Sequence, residues 1–300
     1  MEQQDLFNRL VERFERDLNI LPDKSEENAQ NTLRALWLTA SGNPISPVAA
    51  ADLPLPALSS AQLAELHSWV ETRLSGVPLA HLTGRQDFMG LDYIINKGLY
   101  IPRKETELLA KTALACIAEH FTASPEIKVI DVCTGIGTVA LAIAHYCRKA
   151  VVFGSDIYAP AIEAALVNAR HFGLEERSTF FNADLFDPFE ACSLRNEVHI
   201  IVSAPPYIST EKVKHLAPEI AQHEPEEAFN AGPFGFSVFM KLISTAPEYL
   251  LIDGYLIIEC GLGQGPFLAK RLAANGHYGD VIEVPDALGN VRVLMARRVL

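Results

Sequence analysis

The sequence predicts an α/β fold, an open and mostly parallel sheet set behind a small helical domain, on three observations. Up to about residue 80 the apolar positions recur only at helical spacing. Beyond about residue 105 short apolar strands alternate with helices, the pattern that builds a parallel sheet covered on both faces. The first strand of that series runs into a tight glycine turn and then a helix, in KVIDVCTGIGTVALAIA.

In the N-terminal part, Leu6, Leu10, Val11, Phe14 and Leu18 place a helix over Asp5–Leu18. Further helices are expected from Asn28 to Thr39 and from Ser60, a capping residue, to Leu74. The Pro-rich passage Asn43–Pro56 between them is a loop. Residues 1–80 therefore read as a helical domain, with a substrate-recognition role as the expectation. Phe88–Ile101, rich in Phe, Tyr, Ile and Leu and carrying Gly90 and Gly98, suggests a β-hairpin, so residues 81–105 read as a linker. IPRKETE then opens a helix, its acidic residues favoured by the helix dipole.

The third region, 106–300, carries candidate strands at Lys128–Cys133, Ala150–Ser155, Ser178–Asn182, Glu197–Ser203, Tyr255–Cys260, Gly279–Val284 and Val291–Arg297. Helices are expected at Gly137–Arg148, Pro160–Phe172 and Gly235–Leu251. The short, Gly-containing link between the last two strands predicts an antiparallel hairpin at the sheet edge.

Composition narrows the function. The formal net charge is -12, which argues against a broad nucleic-acid-binding face, because phosphate recognition needs a basic footprint. Five scattered cysteines show no zinc-like or redox spacing, so no metal site is expected and reduced thiols are. MEQQDLFNRLVERFERDL is too charged for a signal peptide and no apolar run reaches membrane-spanning length, so a cytoplasmic protein without a membrane partner is expected.

Four motifs fall at strand ends. In DVCTGIG, Asp131, Thr134, Gly135 and Gly137 make a turn that lets a ligand approach the backbone. The spacing lacks the three glycines of a dinucleotide fingerprint, so NAD is not favoured. Asp156, at the end of the next strand and about 20 residues beyond the turn, is placed to accept ribose hydroxyl protons. In NADLF, Asp184 and Leu185 can hydrogen-bond an adenine amino group and cover the ring. In SAPPYIS, Pro205 and Pro206 stiffen an extended turn that presents the carbonyls of Ala204 and Pro205. Tyr207 supplies an aromatic wall there.

From residue 75 onward the chain resembles the HemK-like family, protein-glutamine amide methyltransferases of release factors and a ribosomal protein. The resemblance is carried by GVPLAHLTG, Phe88, IPRKETE, DVCTGIG, SDIYAPA, NADLF, HEPEEAFNAG and GYLIIECG. It implies a Rossmann-like class I methyltransferase fold and S-adenosylmethionine as cofactor, bound through Asp131, Thr134, Gly135, Gly137, Asp156, Asp184 and Leu185. It also implies catalysis at Ala204, Pro205, Pro206 and Tyr207. The family usually carries Asn or Asp at the position of Ala204, where that side chain and the following proline carbonyl accept hydrogen bonds from the substrate amide. Losing such a contact costs about 10²–10³ in rate.

That departure gives the first expectation for the acceptor. It is the guanidino or amino nitrogen of an arginine-like free amino acid or small metabolite, touching Ala204 and Tyr207 and paired with His223 and Glu224 of HEPEE. The alternatives are glutamine methylation of a release factor or ribosomal protein, a translation-factor partner, and a non-catalytic cofactor-binding adaptor.

Overall fold

The computed structural model describes residues 2–300, apart from the Glu2 side chain, and divides them into two units. One unit runs to Lys104 and takes in Leu216–Glu224; the other comprises Glu105–His215 and Pro225–Leu300.

The N-terminal unit is helical. Its main helices are Glu2–Asp17, Ala29–Ala40 and Ser60–Leu74. The third opens with a capping box in which Ser59 and Gln62 satisfy each other's backbone amides, a local reason for its starting point. Phe7, Leu10, Phe14, Leu33, Leu36, Trp37, Leu66 and Val70 fill the core between these helices. The hairpin consists of β1 (Arg85–Phe88) and β2 (Leu91–Ile94), joined by Met89 and Gly90. Both of those turn residues have positive φ, 54° and 79°, as a tight two-residue hairpin turn demands. The hairpin thus begins earlier than the Phe88–Ile101 expectation and ends at Ile94. It belongs to the N-terminal unit, as does the whole stretch to Lys104, instead of standing apart as a linker.

The second unit is built on a seven-stranded sheet. Its strands are β3 (Ile127–Val132), β4 (Ala150–Asp156), β5 (Ser178–Asn182), β6 (Val198–Ser203), β7 (Leu250–Glu259), β8 (Tyr278–Pro285) and β9 (Val291–Arg298). They lie in the order β5-β4-β3-β6-β7-β9-β8. The pairings among β5, β4, β3, β6 and β7 are parallel, and those of β9 with β7 and with β8 are antiparallel. This is the Rossmann-like methyltransferase order, with the antiparallel hairpin at the edge. Central β3 and β6 are almost wholly buried, which is why they read as continuous apolar runs.

Four further expectations need correction. The Pro-rich passage Asn43–Pro56 is not loop throughout, since Pro47 opens a short helix, Pro47–Ala50. The helix placed over Gly235–Leu251 runs only Ser237–Thr245, because Pro247 lies in a tighter turn that ends it and β7 already begins at Leu250. The helix after the glycine turn is Thr138–Tyr146, shorter than expected at both ends. The region 106–300 is not one uninterrupted unit, since Leu216–Glu224 belongs with the N-terminal helices.

Candidate active site

In this strand order the direction of winding reverses at β3, which lies between β4 and β6. The crevice beyond the carboxyl ends of the strands at such a reversal is where open α/β sheets bind ligands. Two motifs singled out in the sequence leave the sheet there: DVCTGIG after β3 and SAPPY after β6.

The glycine turn is held by carboxylates. Asp131, buried at the end of β3, accepts from the Thr134 hydroxyl at 2.7 Å and from the Ala140 amide at 3.1 Å through Oδ2. Burial pushes its carboxyl up to about 7, against the pull of those two donors. Asp156, ending β4, accepts from the Gly135 amide at 2.8 Å and the Tyr158 amide at 2.9 Å. The two glycines do different work. A Cβ on Gly137 would lie 3.0 Å from both Leu141 and Phe180, so this glycine permits close packing of helix on sheet. A Cβ on Gly135 would meet nothing within 4 Å, so its open side is free for a ligand.

Two non-glycine residues on these loops are held in the left-handed region, Cys133 at φ 61° and Leu185 at φ 44°. Such conformations cost about 1–3 kcal/mol each and persist where surrounding structure imposes them. The Leu185 carbonyl accepts from the Ser155 hydroxyl at 2.5 Å, which imposes one of them. Asp184 beside it is exposed and ion-paired to Lys241 at 3.3 Å.

These residues fit S-adenosylmethionine. A carboxylate offers about four lone-pair sites, so Asp156 keeps capacity for ribose hydroxyls after its backbone bonds. Gly135 leaves space beside it. Asp156, whose carboxylate pairs with no cation among the described residues and bonds only backbone amides, would supply negative charge for a cationic sulfonium ligand.

At the end of β6 the Ser203 hydroxyl donates to the Val132 carbonyl at 2.7 Å, tying the two central strand ends together. Ala204, Pro206 and Tyr207 are half-buried and Pro205 is buried. The Tyr207 hydroxyl donates to Glu259 Oε1 at 3.3 Å. Burial is the largest influence on that phenol and pushes its pKa up, keeping it neutral.

The HEPEE residues divide between the two units: His223 and Glu224 fall in the N-terminal one, Pro225, Glu226 and Glu227 in the other, where Glu226 accepts from the Asn230 side chain at 2.7 Å. Glu224 is buried in the N-terminal unit, where Oε1 accepts from Arg103 at 2.6 Å and Oε2 from the Ile101 amide at 3.0 Å. The expectation that it pairs with a cationic substrate is corrected: its charge is already satisfied inside the fold. His223 is half-buried in the same unit. Sequence reasoning passed over Glu259 and Gln264, both of which bond Tyr207. Among the described residues no cluster of His, Cys, Asp and Glu could hold a metal ion. Among them, too, no helix is long and apolar enough to cross a membrane.

The chain is similar to known methyltransferases. Residues 111–232 match the family model of the methyltransferase small domain. The release factor glutamine methyltransferase of Geobacter sulfurreducens is 32% identical over 280 residues, 92% of each chain. That of Agrobacterium fabrum is 32% identical over 235 residues, 78% of this chain and 79% of the relative. Among solved structures, a ribosomal protein L11 methylase from Lactobacillus delbrueckii is 19% identical with a TM-score of 0.46. It covers 72% of this chain and 90% of that one. The fold assignment rests on the strand order itself. By its sequence, over most of its length, the chain belongs to the release factor glutamine methyltransferases and is an S-adenosylmethionine-dependent N-methyltransferase.

Proposed function

We propose that the acceptor is the side-chain amide nitrogen of a glutamine in a peptide chain release factor, in the cytoplasm. The observation that carries this is the match over 280 residues, 92% of both chains, to a relative of that name, a span too long to be confined to the methyltransferase unit. The free amino acid reading rested on Ala204 and on the HEPEE carboxylates. The second support loses Glu224, the carboxylate singled out for that pairing, which is consumed by Arg103 and Ile101.

When bound, S-adenosylmethionine supplies an electrophilic methyl group on a cationic sulfur. Gly135, Asp156, Asp184 and Leu185 would hold its nucleoside. An amide nitrogen is a weak nucleophile, and the chain's contribution is alignment and exclusion of water. The Ala204 and Pro205 carbonyls can accept the two amide N–H bonds, turning the nitrogen toward the methyl. Pro205, Pro206 and Tyr207 wall that position with groups that resist rearrangement. Asp131 does not act as a base, since its carboxyl is buried and spent on Thr134 and Ala140. As the N–C bond forms, the methyl's bond to sulfur would break to leave a neutral thioether, and the amide's surplus proton would pass to solvent when the product leaves the site.

The test is transfer of labelled methyl from S-adenosylmethionine to purified release factor, ribosomal protein and free amino acids in parallel. Mass spectrometry would place the methyl on a glutamine of the factor. Transfer to free arginine or another small molecule, with none to the factor, would overturn the proposal.

A further inference from the structure

Pro205 and Pro206 have no backbone N–H, so the turn that presents the acceptor carbonyls cannot be anchored through their amides. Its handles are the Ile208 amide, which donates to the Phe229 carbonyl at 2.9 Å, and the two ends of Tyr207. One end, the hydroxyl, meets Glu259. The other, the Tyr207 carbonyl, accepts from Gln264 Nε2 at 3.0 Å.

Gln264 immediately precedes the helix Gly265–Ala273 and is half-buried. Its Oε1 accepts from the Gly261 amide at 2.9 Å, while Nε2 also reaches the Gly235 carbonyl at 3.5 Å. One amide side chain thus joins three loops at the carboxyl edge: the PPY turn, the stretch around Gly235 and the end of β7. The loops are packed too closely for other residues at the joints. A Cβ on Gly235 would lie 2.8 Å from the Tyr207 carbonyl oxygen. One on Gly261 would lie 2.9 Å from Gln264 Oε1 and 3.0 Å from Tyr207 Cδ2.

We propose that Gln264 is a positioning residue for methyl transfer, fixing the PPY turn by donating to the Tyr207 carbonyl; this rests on the PPY turn being the acceptor site. The role needs both faces of a carboxamide. An acceptor oxygen alone keeps Gly261 but sets lone pair against lone pair at Tyr207, and an apolar side chain loses both bonds. Displacing a reacting group by about 1 Å can cost about 10² in rate, so the effect belongs in kcat. Cofactor affinity, set at Gly135 and Asp156, stays where it is.

The experiment compares Gln264→Glu and Gln264→Leu with the unaltered chain, using release factor as acceptor and calorimetry for S-adenosylmethionine affinity. Both variants are expected to lose about 10–100-fold in kcat near pH 8 with cofactor affinity within about twofold. As pH falls, the Gln264→Glu side chain protonates and regains a donor for Tyr207. Its activity relative to the unaltered chain rises, while that of Gln264→Leu does not. Equal kcat in all three, or a parallel pH response in both variants, would overturn the proposal. A second readout is independent of the acceptor: fluorotyrosine NMR, with the Tyr207 signal assigned by Tyr207→Phe. Both variants should shift or broaden that signal, and an unmoved signal refutes the positioning role. If the unaltered chain modifies no release factor while the signal moves as expected, the acceptor assignment fails and the role of Gln264 stands.

Discussion

The amide of Gly135 and the carboxylate of Asp156, 21 residues apart in sequence, are bonded at 2.8 Å across the ends of neighbouring strands. The acidic side chain that would take the ribose hydroxyls therefore also shapes the loop beside it. Replacing Asp156 by Ala removes both functions. Since hydrogen bonds to charged groups contribute about 1.5–3 kcal/mol, the Kd for S-adenosylmethionine should rise about 10–100-fold, with Asp156→Asn intermediate. Isothermal titration calorimetry reads this directly.

Asp131 makes stability depend on pH. Its folded-state pKa, about 7, lies above the 3.8 of an ordinary aspartate, chiefly through burial. Its contribution is full below about 3.8 and is lost as pH rises through about 7, because the folded state binds the proton more tightly than the unfolded chain. Asp131→Asn cannot titrate. The Tm of the unaltered chain relative to that variant should fall between pH 5 and pH 8 in thermal melts without cofactor. A difference independent of pH would contradict the assignment.

The resemblance to the family implies a side-chain acceptor at the position of Ala204, which this chain lacks. Ala204→Asn should raise kcat on release factor by about tenfold or more, within the range lost when one oriented polar contact is removed from a reacting centre. Cofactor affinity is expected to be unchanged. Steady-state kinetics with the factor as varied substrate checks both.

Within the N-terminal unit, Arg73 is 1% exposed, with Nη1 3.0 Å from Glu219 and Nη2 3.1 Å from Glu27; Lys24 lies 3.1 Å from Glu219. Arg73→Met leaves buried carboxylates without their partner, a change that costs about 3–5 kcal/mol. Urea unfolding followed by Trp37 fluorescence should show the loss. Arg13→Met, which breaks an exposed pair with Glu71, should leave the urea midpoint nearly unchanged.

What the sequence revealed was local. The glycine turn, the acidic strand ends and the PPY turn are each contained in a few consecutive residues, and strand–helix alternation placed them on one edge. What it hid was pairing at a distance. Nothing near Glu219 shows that Arg73, 146 residues away, neutralises it. HEPEE looks like charge available to a substrate until Arg103 is brought to Glu224 from 121 residues off. Gln264 was missed because a polar residue in a Gly-rich loop is unremarkable by itself. The signal was in the neighbours, since Gly261 and Gly235 are glycines where any side chain would collide.

The assignment of Leu216–Glu224 to the N-terminal unit bears on how such chains can be recombined. The polypeptide passes between the units three times, at 104/105, 215/216 and 224/225, so no single cut separates them. A fragment starting at Glu105 would carry Glu219 and Glu224 without the basic residues that neutralise them. Chimaeras that graft the helical half of one relative onto the catalytic half of another must move this nine-residue stretch with the helices. Drift in Arg73 or Arg103 must likewise be answered by drift far downstream.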